Sequence, residues 1–255
     1  MSERVTNPSR DSEGLASTEV RQSVSTSTST PGLAVRWLGR VPYAEALALQ
    51  MKAVEERVKG TGEDVLLLLE HPTVVTLGRS FREEHLLLSR ESLADQGIEV
   101  HSVARGGDVT LHAPGQLVGY LVLDLRRRGE ADLHAFVRRI EASLIEVLQT
   151  FGLEGCRVEG RTGVFMQPSE DGSRSGPDRK IASIGIGVRR WVTFHGFALN
   201  VTTQLGVFDS IVPCGLGDIE MTSIAQELGS GPLGLDRLVR VATKKAFADE
   251  FSEPG

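Results

Sequence analysis

The stretch KIASIGIGV, residues 180–188, restricts the fold more than any other part of this chain. Read as a strand, it turns Ala182, Ile184, Ile186 and Val188 to one side and Ile181, Ser183, Gly185 and Gly187 to the other. A strand face of such small residues lets a ligand or a second backbone come close. A lysine, Lys180, stands at its entrance, and the chain runs on to a Pro213-Cys214-Gly215 turn. An ammonium and a thiol brought into one cleft make a proton acceptor and an activated nucleophile.

The surrounding sequence supplies a sheet and its cover. Short apolar runs predict strands at VLLLLE (65–70), TVVTLGR (73–79), IEVHSV (98–103), LVGYLVLDL (117–125) and TGVFM (162–166). Residues 43–59 place Ala46, Leu47, Met51, Val54 and Val58 at helical spacing. Residues 132–151 carry Leu133, Phe136, Val137, Ile140, Leu144, Val147 and Phe151 on one helical stripe. SRESLADQG (89–97) predicts a short helix closed by Gly97, and residues 235–251 a final helix. RGGDVTLHAPGQ (105–116) reads as a Gly/Pro-punctuated loop with a short strand inside, and 168–179 as a polar loop. The pattern predicts an α+β fold, a mixed central sheet flanked by helices.

Size and charge narrow the function. A chain of 255 residues can bury a substantial core. Its net charge of −6 argues against nucleic acid as the main partner. No uninterrupted apolar run reaches ~18 residues, so no membrane span is expected. Two cysteines, Cys156 and Cys214, do not make a disulfide framework, which favours a cytoplasmic protein. Residues 1–32 are rich in Ser and Thr and nearly free of apolar side chains, so they are expected to be a disordered tail before a single domain over 33–251. That tail has no signal-peptide core, and its acids argue against a transit peptide.

Each candidate residue has a plain alternative. A cysteine is more often a small buried hydrophobe than a nucleophile. Cys214 gains from its turn, which exposes side chains and N–H groups, whereas Cys156 has no such setting and reads as structural. A lone lysine is ordinarily solvated, but one drawn into a partly apolar cleft gives up its proton more readily. RGGDVTLHAPGQ is either a turn between strands or a loop where Gly106, Gly107 and Gly115 admit a ligand beside Arg105 and His112; spacing does not choose. It lacks the P-loop and dinucleotide spacings. His195 reads as a core histidine bonded to backbone, His71 as a turn residue, and Arg126-Arg127-Arg128 as a solvated patch or a surface for an acidic carrier protein. No cluster has metal-ligand spacing, and no cofactor is expected.

HPTVVTLGR, RGGDVTLHAPGQLVGYLVLDL, GRTGVFM, KIASIGIGVRRWVTFHGFALNV and IVPCG followed by MTS stand in one order. In this order the chain, from about Leu33 to Phe251, resembles the lipoyl(octanoyl) transferase family. It departs from the family's Tyr-His-Gly-Pro-Gly at Leu111 and Ala113; the second raises the question of a positive φ, which alanine tolerates poorly.

The resemblance implies the fold of biotin and lipoate protein ligases. It implies an acyltransferase that takes octanoyl, or lipoyl, from octanoyl-acyl carrier protein. The acceptors would be lysines in lipoyl domains of 2-oxoacid dehydrogenase complexes and the glycine cleavage H protein. Cys214 would carry the acyl group and Lys180 would handle the proton. Arg105, Gly106, Gly107, Asp108, Val109, Thr110, Leu111 and His112 would bind substrate, with Ser183, Ile184, Gly185, Gly196, Phe197 and Ala198. Two rivals remain: an ATP-dependent lipoate or biotin ligase of the same fold, and a non-catalytic carrier-protein-binding module. The Pro-Cys-Gly turn disfavours the first, and the presence of both Cys214 and Lys180 the second.

Overall fold

A computed structural model describes residue 1 and residues 32–167, 176–229 and 231–252. The expected tail, the C-terminal end and most of the polar loop at 168–179 therefore lie outside the described residues.

Long apolar runs become the centre of a mixed sheet. Its order is β1 (Ala34–Arg40), β2 (Val65–Glu70), β6 (Gln116–Val122), β10 (Val192–Asn200), β9 (Asp178–Arg189), β8 (Val164–Met166), β7 (Gly155–Cys156). β1 joins β2 in parallel, the others along this path are antiparallel, and β11 (Ile219–Met221) adds to β9 in parallel. Every residue of β6 and β10 is buried, which is why these two strands lack a polar face. A second sheet of order β4 (Glu99–Ser102), β3 (Val74–Leu77), β5 (Val109–His112) stands apart.

Helices cover the main sheet on both faces. α3 (Leu133–Gln149) and α5 (Leu235–Phe251) pack on one, where Phe136, Ile140, Leu144, Val147 and Phe247 meet Leu66, Ile181 and Leu199. Asp132 caps α3 by accepting N–H bonds from His134 and Ala135. α1 (Tyr43–Val58) covers the other face through Ala46 and Val54, against Val118, Tyr120 and Ala198. Each such side chain contributes about 1.5–3 kcal/mol by leaving water. Two short helices, α2 (Arg90–Asp95) and α4 (Ile224–Glu227), start on Ser89 and Ser223, whose hydroxyls accept the capping N–H.

The α1 stripe differs from the one its apolar spacing predicts. Leu47, Met51 and Val58 are only half-buried, while Gln50 and Arg57 are buried. Each polar residue has a reason to be inside. Gln50 Oε1 accepts the His195 main-chain N–H at 2.8 Å, and Arg57 lies 2.9 Å from Asp64. Arg128 meets the same Asp64 at 3.1 Å and donates to Phe251 O. Its side chain is therefore a shielded tie between the start of β2 and the end of α5 rather than part of a solvated patch.

One irregularity positions the site. Val164 pairs with Ala182, but the next residue, Phe165, pairs with Lys180. The extra residue in β9, Ile181, makes a bulge that resets the alternation of faces. Ile181 and Ala182 both join the α3 core, so Ile181 does not belong to the small-residue face. Lys180 turns instead to the side of Ser183.

Candidate active site

The small-residue face of β9 forms the floor of a cavity of about 230 Å³ between the two sheets. Strand register gathers that floor: Ser183 stands opposite Ala198, and Gly185 opposite Gly196. The small sheet contributes Val109, Thr110 and His112, and the loop before it Arg105, Gly107 and Asp108. A Cβ on Gly185 would lie 2.9 Å from Arg105 Cδ and 3.1 Å from Gly106 O, so glycine is what lets this loop settle on the strand.

Lys180 and Cys214 meet in this cavity. Lys180 Nζ lies 3.2 Å from Cys214 Sγ and donates a 2.9 Å bond to Thr162 O. Lys180 is only 1% exposed, with Phe165 under its ammonium at 5.3 Å. Ser183 Oγ is 3.7 Å from the same sulfur. Cys214 is half-buried and has φ 57°, a left-handed conformation uncommon outside glycine. The turn is held from both sides. Gly215 N–H donates to Val212 O and Leu216 N–H to Pro213 O, so neither is free for a substrate oxygen. Val212 N–H donates to His85 O, and His85 Nδ1 is 2.7 Å from Asp108 Oδ2.

Arg105 is a second cation in the wall. It is 8% exposed and donates to Thr76 O, Thr76 Oγ1 and Gly106 O. Among the described residues no carboxylate lies within ion-pair distance of it. Burial pushes its guanidinium down from its ordinary value, and the nearby Cys214 opposes that. Lys180 and Arg105 thus put two buried basic side chains beside the sulfur, with the carboxylate of Asp108 in the same wall.

Four further titratable side chains of the cavity are neutral near pH 7. Burial pushes His195 down to about 4 and His112 to about 3. The same effect raises Tyr43 to about 12 and lifts Tyr120 well above its ordinary value. All four line the cavity. His71, which the sequence reads as a turn residue, is buried behind them. It lies 2.6 Å from Val41 O through Nδ1 and 2.7 Å from the Tyr120 hydroxyl through Nε2, and burial lowers it to about 4. His195 adopts φ 59°, which turns its ring out of strand alternation towards Tyr120 and Phe194. Its main-chain N–H is bonded as a core histidine's would be, but its ring lines the cavity, and among the described residues Nε2 has no hydrogen-bond partner.

Residues 42–251 match the lipoyl protein ligase A/B catalytic domain family. An octanoyltransferase of Acidobacterium capsulatum is 46% identical over 215 residues, covering 82% of this chain and 86% of that protein. An octanoyltransferase of Mycolicibacterium gilvum is 50% identical over 200 residues, covering 78% of each. The chain belongs to the lipoyl protein ligase A/B family. Solved members of this fold include a bipartite lipoate protein ligase from Thermoplasma acidophilum. It has a TM-score of 0.63 at 16% identity, covering 86% of this chain and 83% of that one. A lipoate-protein ligase A bound with ATP has a TM-score of 0.62 at 18% identity, over 87% and 85%.

Within this family fold, fourteen of the sixteen residues that the family resemblance singles out line the cavity: Cys214, Lys180, Arg105, Gly107, Asp108, Val109, Thr110, His112, Ser183, Ile184, Gly185, Gly196, Phe197 and Ala198. Gly106 and Leu111 are the two outside. Gly106 N–H is bonded to Ile186 O, and Leu111 packs with Val75 and Phe208 in the core of the small sheet. Ala113 has no positive φ and is buried there as well, so the departure from glycine carries no backbone strain. Tyr43, Tyr120, Arg161 and Thr162 line the cavity without any spacing that marks them. Cys156 sits in β7, where burial, reinforced by Asp178, pushes its thiol up.

Proposed function

We propose that this chain is an octanoyltransferase of protein lipoylation in which Cys214 carries the acyl group as a thioester. The observation that supports this most is the 3.2 Å contact between Lys180 Nζ and Cys214 Sγ inside a cleft with a second buried cation. A free thiol holds only a few per cent thiolate at neutral pH. An ammonium in contact favours the anion, and the low polarity of the surroundings strengthens the attraction.

The donor is octanoyl-acyl carrier protein. Cys214 thiolate attacks the thioester carbonyl, forming a new carbon–sulfur bond as the carrier's bond breaks. The departing thiolate takes a proton from Lys180, which is left neutral. A neutral lysine amine of a lipoyl domain then attacks the enzyme thioester. An amide forms, Cys214 leaves as thiolate, and the proton lost by the amine restores the Lys180 ammonium. Thioester exchange is close to neutral and amide formation is downhill, so the cycle needs no nucleotide.

We assign Gly107, Asp108, Thr110, His112, Ser183, Gly185, Gly196 and Ala198 to the acyl slot, with Arg105 favouring negative charge at the reacting centre. We take residues 33–251 as one catalytic domain and the cytoplasm as its place of work. Among the described residues, no helix is long and apolar enough to cross a membrane.

The test is transfer from octanoyl-acyl carrier protein to a lipoyl domain without ATP. Amide formation is expected, and Cys214→Ala is expected to abolish it. Strict dependence on ATP would instead favour a ligase.

A further inference from the structure

Lys180 cannot choose its own position. A buried ammonium on a long flexible stem stays in one place only if something holds it. Among the described residues its one oxygen acceptor is Thr162 O at 2.9 Å. The other end of that same peptide group, the Gly163 N–H, donates to Glu141 Oε1 at 3.1 Å. Glu141 lies on α3, is fully buried, and takes no direct part in the cavity. Its second oxygen is fixed by Arg138 at 2.7 Å and by Arg157 at 3.0 Å. Arg157 also donates to Arg138 O. Gly163 completes the arrangement at φ 125°: a Cβ there would lie 2.7 Å from Lys180 Cε and 3.3 Å from Nζ.

We infer that Glu141 is a positioning residue for Lys180: it clamps the Thr162–Gly163 peptide so that the Thr162 carbonyl seats the ammonium against the Cys214 sulfur. A carboxylate accepting the N–H polarises the peptide and strengthens its carbonyl as an acceptor. The line of contacts therefore runs from two half-exposed arginines through a buried carboxylate and one peptide plane to the lysine. The inference rests on the reading that Lys180 holds Cys214 as thiolate.

The test follows alkylation of Cys214 by iodoacetamide against pH, with the labelled site read by mass spectrometry. Lys180→Met, Glu141→Met and the double variant are compared with the unaltered chain. Glu141→Met is expected to move the midpoint up by about one pH unit, a tenfold slower reaction near neutrality. Glu141→Gln keeps an oxygen for the Gly163 N–H and is expected to recover part of that shift. In the Lys180→Met background, Glu141→Met is expected to add nothing.

An unmoved midpoint in folded Glu141→Met, while Lys180→Met shifts it, overturns the inference and leaves the role of Lys180 standing. A further shift in the double variant also overturns it, because Glu141 would then act by another route. If Lys180→Met itself moves nothing, the reading of Lys180 fails and the inference falls with it. Should Glu141→Met not fold, Glu141→Gln replaces it: it keeps the buried volume but loses the charge, a partial upward shift is expected, and an unmoved midpoint in that folded variant is equally contradictory.

Discussion

At the scale of single residues, two cysteines of one chain are set to behave differently. Cys214 touches an ammonium at 3.2 Å, whereas Cys156 is half-buried, and burial, with Asp178 adding to it, pushes its thiol up. Limited alkylation at pH 7 is therefore expected to label Cys214 at least ~10-fold faster than Cys156; equal labelling would remove the ground for an activated thiol. Lys180→Met, which keeps the buried volume, is expected to erase most of that difference. The identity of these two residues was legible from motif resemblance. Their contact was not, because 34 positions separate them and a bulge at Ile181 decides which way Lys180 points. A period-of-two reading cannot see a bulge, and it misplaced Ile181 for that reason.

At the scale of elements, helices and strands followed their apolar periods, and the errors fall where polar residues are buried. Gln50 and Arg57 face inward on α1 because His195 N–H and Asp64 wait for them there. Hydrophobicity alone carries no sign of such partners. α3 serves two purposes on neighbouring residues: Leu144 fills the core, and Glu141 reaches the Gly163 peptide. Leu144→Ala is expected to cost ~2–5 kcal/mol in urea unfolding. It should leave the pH profile of Cys214 alkylation in place, since Leu144 belongs to the core cluster and is not among the residues lining the cavity. A shifted profile would mean that the site responds to core packing in general. Gly185→Ala is expected to act oppositely, lowering kcat/KM by about tenfold or more as Arg105 is pushed off the strand; an unchanged value would show that Arg105 has room to move.

At the scale of the whole molecule, the two sheets enclose a set of neutral histidines. His71, His112 and His195 are held at about 4, 3 and 4, against an ordinary value of 6.5. The folded chain therefore binds fewer protons than the unfolded one at mildly acid pH. The stability tied to these groups is fully present above about 6.5 and drains as pH falls towards 4. If all three titrate on unfolding, the slope approaches roughly 4 kcal/mol per pH unit. Tm is expected to drop steadily from pH 7 to pH 5, and a flat Tm would contradict the neutral cluster. This cluster was invisible in the sequence, where His71 and His195 sat in unrelated segments joined only by the fold. The bond formed at the sulfur is tested most directly by mapping the acyl group. After incubation with octanoyl-acyl carrier protein, digestion and tandem mass spectrometry are predicted to find one octanoyl group, on the peptide carrying Cys214. An octanoyl group on Cys156, or none on a folded protein, would contradict the account.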